Sequence, residues 1–155
     1  MTNELSPGAG FVALISAFCE FAGLPAVDAQ DTAGFEIEAG PHVARVLPDP
    51  SDDARLVVEI DVCPKDAANA RALEVLHRLN YATRFTHPWT SGIDGDDTVV
   101  IYTRRTIAEM DVGALEALIA DGIDRAVALR TLWDSAAAAG AISNAIPVTS
   151  GAVRA

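Results

Sequence analysis

The segment DAANARALEVLHRLN, residues 66–80, decides the fold, because it separates two groups of strand-like sequence. Leu73, Leu76 and Leu79 recur at the spacing of one helix face, so we predict an amphipathic helix that ends at Asn80. Three strand-like runs precede this helix, and a hairpin-like pair follows it. A helix opens the chain and a long helix closes it. The predicted order is α-βββ-α-ββ-α, an α+β fold in which an antiparallel twisted sheet is packed with helices.

The predicted strands are short runs in which apolar and polar residues alternate, the period of a half-buried sheet. They span residues 35–39, 43–47, 56–62 and 98–103. Gly40–Pro41 and the polar segment DPSDD, residues 49–53, are turns between the first three strands, which therefore form an antiparallel meander. Gly95–Asp97 is the turn of the later hairpin. The segment before the second turn is aromatic and contains Pro88, which argues against a central strand there.

The first helix carries its apolar residues on one stripe. These are Phe11, Leu14, Ile15, Phe18 and Ala22. Gly23 lies where a left-handed C-terminal cap would fall, and Pro25 prevents continuation. The final helix begins near Asp111, and Gly122 inside it should cost about 1 kcal/mol relative to Ala. We predict a single domain over residues 1–138 and a disordered, Ala-rich tail over residues 139–155.

The chain is acidic. Its 155 residues contain 11 Lys or Arg against 22 Asp or Glu, a formal net charge of −11. An acidic surface repels phosphate, so we expect neither nucleic acid nor an anionic membrane as a partner. No apolar run approaches the roughly 20 residues that span a bilayer, so we expect no membrane insertion. The N-terminus lacks the basic start of a secretory signal, so we expect a cytosolic protein with Cys19 and Cys63 as buried thiols.

The sequence contains no catalytic signature. His42, His77 and His87 have no neighbouring Cys or carboxylate at metal-ligand spacing, and packed or surface histidines are the better interpretation. A calcium loop that starts at Asp94 would need Gly at its sixth position and Glu at its twelfth, and this chain has Val and Arg there. We therefore predict no catalytic, metal or cofactor site, and a protein that is not an enzyme.

Two patterns leave alternatives open. Four carboxylates fall on one face of the predicted sheet, where strand alternation alone would produce a solvated row, and this is the interpretation we favour. They are Glu36, Glu38, Glu59 and Asp61. Tyr81, Phe85 and Trp89 cluster after the middle helix, either as an interface or as a satellite of the core. The first helix, which also contains Phe21, carries more apolar bulk than one side of a small sheet needs.

The chain resembles the class I type III secretion chaperones, small acidic cytosolic proteins of bacteria, over residues 9–138. The resemblance rests on three helices in a fixed order between the strands. They are the first helix FVALISAFCEFAGL, the middle helix ending LEVLHRLN, and the final helix that reaches Leu132–Trp133. The chain departs from the family where His87, Pro88 and Trp89 stand in a turn that is usually small and Gly-rich.

The resemblance implies a cytoplasmic bacterial chaperone that binds the N-terminal region of secreted effector proteins and keeps it secretion-competent. It also implies a homodimer, no cofactor, and the secretion ATPase as a further partner. The positions that it implies for the dimer interface are Leu73, Leu76, His77, Asn80 and Trp89. The positions that it implies for effector binding are Phe11, Ile15, Phe18, Val43, Val57 and Val58.

The alternative function is a small α+β regulatory or ligand-binding domain of another family. Such a domain would need a closed pocket lined by the apolar residues of the first helix and the sheet.

Overall fold

The computed structural model describes residues 8–26, 34–64 and 70–145. Its elements are α1 (Ala9–Ala22), β1 (Phe35–Ala39), β2 (His42–Pro48), β3 (Arg55–Pro64), α2 (Ala70–Thr83), β4 (Thr90–Ile93), β5 (Thr98–Thr106), a short 3-10 helix (Ile107–Glu109) and α3 (Val112–Ala145). This order is the predicted α-βββ-α-ββ-α, and the α+β prediction is confirmed. In the described part of the chain, no helix is both long and apolar enough to cross a bilayer.

The five strands form one antiparallel sheet in the order β1-β2-β3-β5-β4. The helices pack on one face of this sheet, with α3 against β3 and α2 between α3 and β4. Phe18 of α1 meets Phe35 of β1 edge to face, with ring centroids 6.0 Å apart. The opposite face of the sheet, called the open face here, carries no helix among the described residues.

Strand alternation separates the core from the open face. Along β3, Leu56, Val58 and Ile60 are fully buried, and the residues between them are half-buried. The apolar residues of α1 and α3 cover these positions from the helical side, which is the hydrophobic contact that holds the two layers together. A bulge between Asp61 and Cys63 shifts the register against β5 and brings Cys63 into the core.

The helix ends follow their local chemistry. Gly23 has a φ of 65° and ends α1 as the predicted left-handed cap, with the Leu24 amide donating to the Cys19 carbonyl at 2.9 Å. At the start of α3, Oδ1 of Asp111 accepts the amide hydrogen of Ala114 at 2.7 Å, the geometry of an N-cap.

Two predicted helix ends differ from the structure. α2 continues past Asn80 to Thr83, whose hydroxyl donates to the Leu79 carbonyl at 2.8 Å. α3 continues to Ala145, so the disordered tail predicted from residue 139 is wrong for residues 139–145. Alanine has the highest helix propensity of any residue, and an Ala-rich run therefore extends a helix that packing has already nucleated. Residues 66–69 and 146–155 of those predictions lie outside the described residues.

Gly122 has a role in packing that propensity alone did not predict. A Cβ atom at this position would collide with the side chains of Ile60 and Trp89. The absence of a side chain therefore lets α3 approach the sheet closely, which offsets the helix-propensity cost of glycine.

Candidate protein-binding surfaces

The structure does not bring the six predicted effector-binding positions together. Four are core residues, each at most 5% exposed, namely Phe11, Ile15, Phe18 and Val58. The other two, Val43 and Val57, are half-buried on strands β2 and β3, out of phase with the core residues and therefore on the open face. Their role in effector binding stays a prediction, and the buried four would be reached only if the core opened.

Two exposed large apolar residues lie at the C-terminal end of α1 and just beyond its cap. Phe21 is 62% exposed and Leu24 is 37% exposed. Phe21 follows Phe18 by one turn of the helix, and Phe18 contacts Phe35 of β1. The end of α1 thus presents exposed apolar surface one helical turn after the residue that contacts the outer strand. The sequence signal was Phe21 itself, a large apolar residue outside the helix stripe.

The outer strand β1 pairs with β2 on one side, and no strand pairs with its other side within residues 8–26, 34–64 and 70–145. Glu36 and Glu38 point to the open face and are exposed. Phe35 and Ile37 point to the helical face, where Phe35 is buried and Ile37 packs against the core. We call this strand together with Phe21 and Leu24 the β1 edge.

The neighbouring carboxylates of the open face are tied to Arg45 on β2. One amino group of Arg45 donates to Oδ2 of Asp61 at 2.9 Å, and the other donates to Oδ1 of the same carboxylate. This second amino group also donates to Oε1 of Glu59 at 3.2 Å. Glu36 lies further away, with Oε1 3.8 Å from Nε of Arg45. The predicted solvated row is therefore correct for Glu36 and Glu38, but Glu59 and Asp61 are half-buried and ion-paired.

Asp94 lies next to this ion-paired cluster. Carboxylate oxygens of Glu59, Asp61 and Asp94 all lie within 4.8 Å of one another. Burial raises the pKa of Glu59, and the hydrogen bond from Arg45 lowers it in part. Arg45 supplies the positive charge between Glu59 and Asp61, and Oδ1 of Asp94 accepts the amide hydrogens of its own turn. These contacts account for the cluster without a metal ion.

The predicted dimer residues lie on both sides of α2. Leu73 is 38% exposed and His77 is exposed, so these two form part of the outer surface. Leu76 and Trp89 belong to the core, and the Trp89 indole N–H donates to Oδ2 of Asp121 at 2.8 Å. The alternative role of Trp89 as a satellite of the core is the one that the structure favours.

Asn80, the fifth predicted dimer residue, fastens α2 to β4. Its amide nitrogen donates to the Ser91 carbonyl at 2.8 Å, and its Oδ1 accepts the Ser91 backbone N–H at 2.9 Å. The Ser91 hydroxyl donates to the same oxygen at 2.8 Å. Asn80 therefore satisfies both backbone groups of one residue in an outer strand.

Two other aromatic residues of the cluster are exposed. Tyr81 is 67% exposed and Phe85 is 86% exposed. The Arg84 guanidinium lies 3.8 Å from the Tyr81 ring centroid and 4.4 Å from that of Phe85. These exposed residues have the aromatic and Arg composition of protein-binding hot spots. Separately, a cleft of about 210 Å³ lies between α2, β4 and α3, with Leu79, Trp89 and Leu129 among its lining residues.

The two cysteines and His42 are packed in the protein interior. Cys19 and Cys63 are free thiols in the core, and burial raises the pKa of both. His42 is buried, and its Nδ1 lies 2.8 Å from the Asp61 carbonyl oxygen, a hydrogen bond that ties β2 to β3. The apolar residues of α1 that a closed ligand pocket would need are packed into the core instead.

Residues 13–130 of the chain match the model of the Tir chaperone protein (CesT) family. The chain belongs to this family. Membership confirms the resemblance to the type III secretion chaperones and the predicted function as a chaperone. Among curated proteins, none matches the sequence of this chain.

Solved structures show the same fold. A chain of the crystal structure of the ExsC–ExsE complex aligns with a TM-score of 0.69 at 20% identity, covering 83% of this chain and 97% of that one. The HopA1–SchA chaperone–effector complex gives a TM-score of 0.65 at 12% identity, with coverage of 79% and 94%. The Yersinia pestis type III secretion chaperone SycH, bound to a fragment of YscM2, gives 0.59 at 17%, with coverage of 77% and 98%.

Proposed function

We propose that this CesT-family chaperone binds the N-terminal region of a secreted effector in extended form and keeps it secretion-competent. The observation that carries the proposal is the outer strand β1, which Phe18 of α1 contacts through Phe35, together with the exposed Phe21 and Leu24 at the end of that helix, in a chain of this family. An extended polypeptide can place alternate side chains on the apolar end of α1 and pair its backbone with β1. We place this activity in the bacterial cytoplasm, without a cofactor, and the secretion ATPase stays a predicted partner.

The similar structures support a polypeptide as the ligand. The HopA1–SchA structure is of a chaperone–effector complex, and SycH was crystallised with a stable fragment of YscM2. A polypeptide that becomes ordered on binding needs a large contact surface, because part of the interaction free energy is spent on ordering it. A sheet edge flanked by an apolar helix end offers such a surface.

Co-expression with N-terminal segments of candidate effectors tests the proposal. We expect the chain to retain an effector segment through affinity purification and size exclusion. The double variant Phe21→Ser, Leu24→Ser should weaken binding by about tenfold or more, a loss of at least about 1.4 kcal/mol. Val127→Ser on α3 is the matched control, because Val127 is also apolar and 51% exposed. Equal retention by both variants would place the binding surface elsewhere.

We also propose that the protein is a homodimer whose seam includes the outer face of α2. Leu73 and His77 support this, because both are exposed on that helix. Leu76 is unsuitable for a test, since it is 6% exposed and a charge there would unfold the chain. Leu73→Asp should give a folded monomer in light scattering, whereas Val127→Asp on α3 should leave the dimer unchanged. A Leu73→Asp variant that stays dimeric would contradict the seam.

A further inference from the structure

The cleft between α2, β4 and α3 has the size and the lining of a site for one aromatic ring. Its volume is about 210 Å³ and its surface is mainly apolar. Trp89, Ile101 and Leu129 of the lining belong to the core, whereas Leu132 is 47% exposed. An apolar cavity of about 150 Å³ is large enough to bind benzene. A phenylalanine side chain therefore fits into this cleft.

The turn that borders the cleft carries an exposed aromatic side chain. Phe85 is 86% exposed, more than any other large apolar residue in the described part of the chain. Thr83 and His87, two residues before it and two after it, both line the cleft. The His87 amide donates to the Thr83 carbonyl at 2.9 Å and closes the turn. Phe85 thus stands at the tip of a turn whose two ends line the cleft.

A projecting ring and a recess on the same turn are self-complementary. In a two-fold dimer, residue i of one chain contacts residue j of the other, and symmetry supplies the reverse contact. Because Phe85 and the cleft share one turn, both can lie next to a single two-fold axis. Each ring can then enter the opposite cleft. A ring and a recess at distant places on the chain would form a head-to-tail contact instead.

The proposed seam on α2 continues toward this turn. Leu73, His77 and Tyr81 follow one another at four-residue spacing and are all exposed, so they lie along one side of the helix. The Arg84 guanidinium then stacks on the rings of both Tyr81 and Phe85. The two aromatic residues therefore extend the seam past the C-terminal end of α2.

The charges next to the ring and next to the cleft are complementary. Arg84 has no carboxylate partner within residues 8–26, 34–64 and 70–145. Asp121 adjoins the cleft, since its Oδ2 accepts hydrogen bonds from the lining residues Trp89 and Arg125. The Asp121 side chain is 46% exposed. When Phe85 enters the opposite cleft, Arg84 of the same chain is brought toward this carboxylate.

We propose that Phe85 of each chain inserts into the cleft between α2, β4 and α3 of a second copy, and that this exchange makes the chain select an identical partner. The inference rests on the proposed homodimer and adds a contact that Leu73 and His77 alone do not supply. A chain that lacks either the ring or the cleft pairs more weakly, because the apolar surface of the other element then stays in water.

Substitutions at the ring and in the cleft test the exchange. Phe85→Ser removes a side chain that is exposed in the single chain, so the fold should be unaffected. Ala128→Trp fills the cleft from an exposed position on its α3 wall. A two-fold dimer contains the insertion twice. Each substitution should therefore raise the dimer dissociation constant about a hundredfold in sedimentation equilibrium, tenfold for each insertion.

Val127→Trp is the matched control for the cleft. Val127 is the exposed neighbour of Ala128 on α3 but does not line the cleft, so this variant should keep the wild-type dissociation constant. Leu132→Trp replaces Ala128→Trp if circular dichroism shows that variant to be unfolded, because Leu132 also lines the cleft and is exposed.

A mixing experiment isolates the insertion itself. A Phe85→Ser chain keeps its cleft and an Ala128→Trp chain keeps its ring, so their mixed dimer retains one of the two insertions. The double variant Phe85→Ser, Ala128→Trp paired with the wild type contains the same substitutions and retains none. We expect the first mixed dimer to be about tenfold tighter than the second, as measured by energy transfer between labelled chains. Equal affinities of the two mixed dimers would overturn the inference.

The inference is also overturned if Phe85→Ser or a folded cleft-filling variant dimerises as tightly as the wild type. A dimer that survives Phe85→Ser but is lost in Leu73→Asp keeps the proposed seam and loses the exchange. A wild-type chain that is monomeric at every concentration contradicts the homodimer and the exchange together. Retention of an effector segment, measured on the same preparations, reports separately on the chaperone function.

Discussion

Gly122 of α3 faces the indole of Trp89 so closely that a methyl group at residue 122 would lie 2.5 Å from Cη2 of the ring. The same methyl group would also collide with Ile60 on β3. We expect Gly122→Ala to lower the free energy of unfolding by about 1–3 kcal/mol, because overpacking outweighs the gain in helix propensity. Urea denaturation of the variant and the wild type measures this difference.

Gly113 provides the control for that experiment. It lies in the first turn of the same helix and is exposed, and a Cβ atom there would meet only Oδ1 of Asp111 at 3.6 Å, an ordinary contact. Gly113→Ala should therefore stabilise the protein by up to about 1 kcal/mol. If both substitutions stabilise, α3 does not approach the sheet as closely as the structure indicates.

Thr103 on β5 has a buried hydroxyl with no hydrogen-bond partner among the described residues. Burying such a group without a partner costs about 1–3 kcal/mol. Thr103→Val replaces the hydroxyl by a methyl group of similar shape, and we expect it to raise the free energy of unfolding by about 1 kcal/mol. Thr106→Val, at a half-buried position of the same strand, should change stability by less than about 0.5 kcal/mol. A destabilised Thr103→Val would reveal a partner for the hydroxyl, such as an ordered water.

The element order was predictable from the sequence because strand alternation and helix stripes are local properties, set by which faces of each element are buried. The end of α1 at Gly23 was predictable for the same reason. The accessibility of single side chains was not, because it depends on what is left exposed once the elements pack. The family resemblance implies Phe11, Ile15 and Phe18 for effector binding, whereas packing buries these three and leaves Phe21 accessible.

Contacts between side chains that lie far apart in the sequence were also not predictable. Arg45 stands among Glu36, Glu59 and Asp61 only because the register of the β1–β2 and β2–β3 hairpins places it there. Asn80 has the same origin, since its partner Ser91 lies 11 residues further along the chain. Neither pairing leaves a periodic signal in the sequence, and both became visible only in the folded chain.

The ion pairs of Arg45 should make a measurable contribution to stability. Arg45→Met would leave the half-buried carboxylates of Glu59 and Asp61 without their cation, and we expect a loss of about 1–2 kcal/mol at pH 7, less than for a fully buried pair. Removal of Arg45 raises the pKa of Glu59 further, so protonation at lower pH should relieve part of this loss. Arg55→Met is the control, because its ion pair with Asp52 is exposed and should matter by less than about 0.5 kcal/mol. Equal losses of stability for Arg45→Met and Arg55→Met at pH 7 would show that the ion pairs of Arg45 contribute no more than an exposed surface pair.

Asp121 links Trp89 to α3 and should give the stability a defined dependence on acid. The hydrogen bond from Arg125 lowers the pKa of the Asp121 carboxyl, and the bond from the Trp89 indole N–H lowers it further. Because the pKa is lower in the folded chain than in the unfolded one, this contribution is complete above the unfolded value, about 3.9. It is lost as the pH falls through the folded value.

Asp121→Asn removes that dependence, since its amide oxygen can still accept the Trp89 N–H but carries no charge. We expect Asp121→Asn to be less stable than the wild type by about 0.5–1 kcal/mol at pH 7, a small difference because the carboxyl is partly exposed and screened by solvent. The gap should close as the pH is lowered from 5 toward 2 in urea titrations, a range set by the unfolded pKa of about 3.9. Asp134 on the same helix pairs with Arg130 but binds no indole. The stability difference between Asp134→Asn and the wild type should therefore be smaller at every pH. A gap for Asp121→Asn that persists unchanged at low pH would mean that Asp121 acts through packing rather than through its charge.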